Sequence, residues 1–89
     1  MIQQAITISN RLGLHARASA KLTKLAGSFP CEVWVTRGSR RVNAKSIMGV
    51  MMLAAGIGTE ITLETNGERE EEAMQALVDL INDKFGEGE

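Results

Sequence analysis

The sequence has one cysteine, one histidine and no tyrosine. Each scarcity removes a class of protein. Cys31 has no partner for an internal disulfide. One histidine and one cysteine cannot by themselves build a usual zinc site, and no metal or other cofactor is expected. Two Phe and one Trp are the only aromatics. Stacking platforms for nucleic acid are therefore scarce, no groove-reading motif is present, and nucleic acid is not an expected partner. The longest apolar run, Ile47 to Ile57, is broken by Gly49 and Gly56. It falls well short of the roughly 20 residues that a membrane-spanning helix requires, so no insertion into a membrane is expected. The opening MIQQAITISN lacks a basic segment followed by an apolar one and reads as no signal peptide. With an unpaired cysteine as well, the expected compartment is the cytoplasm.

What is present is a chain of 89 residues, 44% of them hydrophobic. That suits one small globular domain over 1–89 with one core. The net charge of −1 conceals an asymmetry. Residues 1–45 carry eight basic side chains against Glu32 alone, a net +7, and residues 46–89 carry Arg69 and Lys84 against ten acids, a net −8. Arg11, Arg17, Lys21 and Lys24 cluster around the histidine, and their field would attract anions or an acidic protein.

Apolar spacing divides the chain into elements. Ile2 to Ser9 alternates and predicts a strand, with Asn10 to Gly13 as the connection behind it. Ala18, Leu22, Leu25 and Ala26 mark one face of a helix from Ala16 to Ala26, which Gly27 and Pro30 would end. Glu32 to Thr36 and Arg40 to Ala44 flank Gly38-Ser39 and predict a hairpin, with Val33, Val35, Val42 and Ala44 inward and Trp34 outward. Ser46 is the expected N-cap of a short helix from Ile47 to Leu53, which Gly56 and Gly58 would end. A strand over Glu60 to Thr65, an Asn66-Gly67 turn and a helix from about Arg69 to Lys84 complete the chain. The last helix would bury Ala73, Met74, Leu77, Leu80 and Ile81, and its Glu70, Glu71 and Glu72 suit the positive end of the helix dipole. The order is β-α-β-β-α-β-α. The economical architecture is α+β, a four-stranded, mostly antiparallel sheet with three helices on one face.

His15 stands where a Ser, Thr, Asp or Asn would cap the first helix better. No acidic residue lies near it in sequence, which argues against a catalytic triad. One reading makes it an incidental surface residue. The other starts from the helix N-terminus, whose unpaired amides and partial positive charge bind phosphate. The amides of Ala16, Arg17 and Ala18 would lie in the first turn, and the Arg17 guanidinium suits phosphate oxygens. An imidazole nitrogen is a nucleophile near neutral pH. A phosphoryl group on His15 could thus be accepted and passed on without a metal, and Gly13 would let the chain turn and expose the ring.

The stretch GLHARASA resembles the active-site signature of the HPr family, the histidine-containing phosphocarriers of the bacterial phosphotransferase system. NAKSIMGVMMLAAGIGTEITLETNG resembles the second signature of that family, around its regulatory serine. The resemblance spans the chain and implies the HPr-like open-faced β-sandwich. It implies that His15 takes phosphate at Nδ1 from enzyme I, which obtains it from phosphoenolpyruvate. His15 would then pass the phosphate to enzyme IIA domains, with Arg17 stabilising it. Ser46 matches the serine phosphorylated in some members by HPr kinase/phosphorylase. Ala18 departs from the family, which usually has Pro there. It adds an N–H to the first turn and removes a fixed φ.

Val50 and Leu53 would face the core, leaving Ile47, Met48 and Met51 exposed, and the resemblance implies that this helix lies beside the histidine. With Lys24 these residues are the expected docking surface, since exposed methionines suit several partners. The alternative is that they are ordinary core residues of a short helix. A phosphate on Ser46 would sit at a helix N-terminus, perturb the fold little and repel an acidic partner. The expected function is a monomeric phosphorelay carrier rather than an enzyme with its own turnover. The alternatives are a regulatory binding module acting through Ser46 and a carrier of the nitrogen-related phosphotransferase branch.

Overall fold

The computed structural model describes residues 1–88. Four strands form where the sequence alternates: β1 (Ile2–Thr7), β2 (Glu32–Arg37), β3 (Arg40–Asn43) and β4 (Glu60–Asn66). They pair in the order β1-β4-β2-β3, and every pair is antiparallel. Val33 and Val35 of β2 and Ile61, Leu63 and Thr65 of β4 are buried on one face. The residues between them face the other way. Trp34 stands opposite Glu64 on one neighbour and Asn43 on the other. The Arg41 guanidinium lies 3.8 Å from the centre of the Trp34 ring and donates to Glu64 at 2.9 Å. Glu64 also accepts from Gln3 at 3.1 Å. Trp34 therefore points away from the core, as its alternation with Val33 and Val35 requires.

Three helices, α1 (Ala16–Gly27), α2 (Ile47–Met52) and α3 (Glu70–Asn82), pack on the apolar face, followed by a single 3₁₀ turn at Lys84–Gly86. Their stripes supply Ala18, Leu22 and Ala26 from α1, Val50 from α2, and Ala73, Met74, Leu77 and Ile81 from α3. With Ile8, Val33, Val35, Leu63 and Phe85 they form one core cluster. Each fully buried Leu, Ile or Phe side chain there contributes about 1.5–3 kcal/mol.

The element ends differ from the sequence expectations for physical reasons. α1 runs through Gly27 and is capped by Ser28, whose N–H bonds back to Ala26 and Leu25 and whose Oγ donates to the Leu25 carbonyl at 2.6 Å. Leu25 is only half-buried, whereas Ser19, earlier on the same helix, is wholly buried. α2 stops at Met52, and the residue that turns the chain away is Ala54, at φ +51°. Gly56 and Gly58 do not end it. A left-handed alanine costs about 1–2 kcal/mol. Arginines from the β2–β3 hairpin hold it: Arg37 Nη1 donates to the Leu53 and Ala54 carbonyls at 2.7 and 3.0 Å, and Arg40 Nη1 donates to Met52 at 2.8 Å. These bonds satisfy carbonyls that a helix C-terminus leaves open. α3 ends at Asn82, before Lys84. Lys84 and Phe85 are both left-handed, at φ +54° and +55°, so the chain folds back and buries Phe85 completely. Leu80, expected on the buried stripe, is only half-buried.

Candidate functional site

The fold fixes the histidine through the segment before it. Asn10 is wholly buried, and its Nδ2 donates to the Gly13 carbonyl at 2.8 Å. Gly13 takes φ +64°, a conformation that glycine adopts at no steric cost. Leu14 is buried, and its N–H bonds to the Ala55 carbonyl at 2.8 Å. The segment following α2 is thereby tied to the start of α1.

His15 is the N-cap of α1, in extended backbone geometry, and its side chain makes no capping bond. The first intrahelical bond runs from the Ser19 N–H to the His15 carbonyl at 2.8 Å. The amides of Ala16, Arg17 and Ala18 precede it and have no partner within the helix. A serine or asparagine at the cap would have spent its oxygen on them; histidine leaves them open. Ala16 and Arg17 are exposed, whereas Ala18 is wholly buried. The extra N–H that Ala18 brings therefore lies beneath the surface, while the residues that carry the first two amides reach solvent. Among the described residues Arg17 makes no ion pair or hydrogen bond. Its guanidinium is available beside His15 in an open cleft of about 870 Å³, which Arg11, Ala16 and Glu87 also line.

No acidic residue lies near His15 along the chain, but the fold brings one to it. Glu87 Oε2 lies 2.5 Å from His15 Nε2, and Glu87 Oε1 accepts from Asn10 Nδ2 at 3.1 Å. The hydrogen bond from His15 is the main reason the Glu87 carboxyl lies below the ordinary carboxylate range, with Asn10 and the charges of His15 and Lys21 adding to it against the effect of burial. An ionised carboxylate only accepts. Nε2 therefore carries the proton, and in the neutral ring Nδ1 is the bare nitrogen. Glu87 is 72 positions from His15, so no local pattern pointed to it. The one available signal was Phe85, an apolar residue just beyond the helical stripe.

The second expected site lies on α2. Ser46 is its N-cap, and its Oγ accepts from the Gly49 N–H at 3.2 Å. Val50 and Leu53 are buried. Ile47 and Met51 are 40% and 39% exposed, and Met48 is 67% exposed. The structure adds Leu12 and Met52, 67% and 59% exposed, which the sequence reading did not single out. Leu12 belongs to the loop that is bonded to Ala55, so the apolar side chains of α2 and the histidine loop are joined through one segment. Lys24 is exposed in the last turn of α1, about 13 Å along the helix from His15 at 1.5 Å per residue. Among the described residues no helix is long and apolar enough to cross a membrane. Among the described residues no cluster of three or more His, Cys, Asp or Glu is placed to hold a metal ion.

Comparison with known proteins agrees with this geometry. Residues 2–83 match the family described as PTS HPr component phosphorylation site. The chain is 65% identical to the phosphocarrier protein HPr of Cupriavidus necator, over the full length of both. It is 40% identical to the phosphocarrier protein NPr of Shewanella violacea, covering 97% of this chain and 94% of that protein. Among solved structures, HPr-C-His from Thermoanaerobacter tengcongensis superimposes with a TM-score of 0.95 at 47% identity, covering 98% of each chain. A histidine signature at a helix start, a serine-capped second helix and an open-faced sandwich thus coincide with likeness along the whole sequence, and the chain belongs to the PTS HPr family.

Proposed function

We infer that this chain is a cytoplasmic phosphocarrier of the phosphotransferase system. His15 accepts a phosphoryl group from phosphorylated enzyme I, ultimately from phosphoenolpyruvate, and passes it to enzyme IIA domains. The observation that carries the reading is the placement of the chain's only histidine at the N-terminus of α1, with Nε2 engaged and the Ala16 and Arg17 amides open in front of it. The Nδ1 lone pair attacks phosphorus, and the donor's bond to phosphorus breaks. The Arg17 guanidinium and the helix amides meet the charge on the phosphoryl oxygens. An open cleft suits a group handed from one protein to another, because the acceptor must reach the same phosphorus that the donor released. The protein is consumed and regenerated as a carrier and turns over no small molecule of its own.

Ile47, Met48 and Met51 provide the docking surface beside the site, with Leu12 and Met52 extending it. Lys24 contributes basic charge toward acidic partners. Ser46 is a regulatory phosphorylation site, open to an HPr kinase/phosphorylase: it is exposed, and its phosphate would add negative charge next to that surface. The greater likeness to an HPr than to an NPr favours the sugar branch over the nitrogen-related one. The test is intact-protein mass spectrometry after incubation with phosphoenolpyruvate and enzyme I. One acid-labile phosphate is expected on the wild type and none on His15→Ala. An unmodified wild type with active enzyme I refutes the carrier role.

A further inference from the structure

The segment behind α3 is an unusual use of chain. Lys84, Phe85 and Gly86 take φ of +54°, +55° and +74° in succession. Two consecutive left-handed residues other than glycine persist only where the surroundings hold them. Here the holds are visible. Phe85 is wholly buried in the core, and Lys21 Nζ of α1 donates to the Phe85 carbonyl at 2.5 Å. The Glu87 N–H closes the turn on the Lys84 carbonyl at 3.0 Å. This anchoring ends in one side chain that crosses to the cleft. Glu87 Oε2 meets His15 Nε2 at 2.5 Å, and Oε1 is steadied by the buried Asn10 at 3.1 Å. Both oxygens of the carboxylate have a partner, so its position is set from the tail and from the histidine loop together.

We propose that Glu87 is a positioning residue for phosphoryl transfer: it holds the proton on Nε2 of His15, leaves Nδ1 as the nucleophile and balances the positive charge that the ring acquires when Nδ1 bonds to phosphorus. The inference deepens the phosphocarrier reading and rests on it for the identity of the natural donor. On loading, the Nδ1 lone pair forms the N–P bond, the donor atom leaves with its bonding pair, and the ring keeps its Nε2–H. The ring becomes cationic, facing the Glu87 carboxylate. On unloading, the N–P bond breaks and the pair returns to Nδ1, which is easier while Nε2 stays protonated. A carboxylate that holds an imidazole tautomer and stabilises the imidazolium is a device known from hydrolytic triads. Here it serves a histidine that is itself the nucleophile. The arrangement makes loading and unloading faster together, as a carrier requires.

The test uses the full chain, Glu87→Gln and phosphoramidate, a small phosphoryl donor that needs no enzyme I. Loading is followed by phosphorus NMR, and hydrolysis of phospho-His15 is followed after the donor is removed. Both rates should fall by about tenfold in Glu87→Gln, below the usual range for general acid–base catalysis because Glu87 keeps a proton in place rather than transferring one. The melting temperature should stay near that of wild type, since Phe85 and Lys21 still anchor the tail. A loosened tail without the electrostatic role would not slow hydrolysis, so slower loading with unchanged hydrolysis overturns the proposal. Unchanged rates in both directions also overturn it. The two readings fail separately. Wild type that loads from phosphoramidate with the Glu87 dependence, yet takes nothing from phosphorylated enzyme I, loses its assignment as a carrier in this system while the role of Glu87 stands.

Discussion

Gly13 and Ala55 are packed so closely that a Cβ on Gly13 would lie 2.4 Å from the Ala55 carbonyl oxygen and 2.7 Å from the Gly56 Cα. Both are backbone atoms, and the Ala55 carbonyl is already the acceptor for Leu14. The contact locks the loop before His15 onto the segment behind α2. Gly13→Ala must therefore move one of the two, and its φ of +64° is unfavourable for alanine in any case. We expect a loss of about 2–3 kcal/mol, from strain plus the displaced Leu14 bond. That corresponds to roughly 10 °C or more in melting temperature for a domain of this size. Thermal unfolding by circular dichroism checks it, with Gly27→Ala as control, where an added Cβ meets nothing within 4 Å.

Ser46 caps α2 through the Gly49 amide. Ser46→Ala should cost about 1 kcal/mol, the usual value of a lost N-cap. Ser46→Asp keeps an oxygen at the cap and should leave stability within about 0.5 kcal/mol of wild type. The same Ser46→Asp chain should take phosphate from enzyme I more slowly, and the deficit should shrink as salt is raised. A rate equal to wild type at low salt removes the electrostatic account of Ser46.

Met48 is 67% exposed on α2 and contributes little to the core. Met48→Asp should leave the urea midpoint nearly unchanged, within about 0.5 kcal/mol as for other surface substitutions. It should raise the KM for enzyme I while loading from phosphoramidate stays at the wild-type rate. Loss of both would place Met48 in the support of the histidine loop and not in docking.

On the open face of the sheet, Glu64 is held below the ordinary carboxylate value of 4.5 by its hydrogen bonds from Gln3 and Arg41. A group whose folded pKa is depressed adds stability that is fully present above the unfolded pKa and is lost as pH falls through the folded value. The contribution of Glu64 is therefore complete above about pH 5 and disappears below the ordinary carboxylate range. Urea unfolding from pH 7 to pH 2 should show a shallower acid loss for Glu64→Gln than for wild type, with the two curves parallel above pH 6.

Strand and helix identities followed from periodicity because one face of each element is buried. Val33 and Val35 had to lie on the side opposite Trp34, and they do. The cap positions of His15 and Ser46, and the place of Arg17 in the first turn of α1, were legible because caps are local: the residue and the amides it meets lie within four positions of each other. The end of α2 was not legible. An alanine takes the left-handed position, and the arginines that hold the chain there sit on a different hairpin. Glu87 escaped for the same reason, as its partner lies at the far end of the chain. Ser19 was not among the apolar positions that marked the inward face of α1, yet it is wholly buried. It is buried because its hydroxyl donates to the Leu14 carbonyl at 3.0 Å, a bond that the helix start creates.

The chain's single tryptophan lies under Arg41 on the sheet face that no helix covers. The histidine, the capped serine and the exposed methionines all belong to the helical layer and its loops. Trp34 is thus a built-in fluorophore whose ring neighbour, Arg41, is itself part of the sheet. Its emission will report melting of β2 and β3, and it will stay dark to events at His15. A dye or affinity tag meant to follow a passing partner belongs on the helical side, while the tryptophan serves as the internal standard that the protein is still folded.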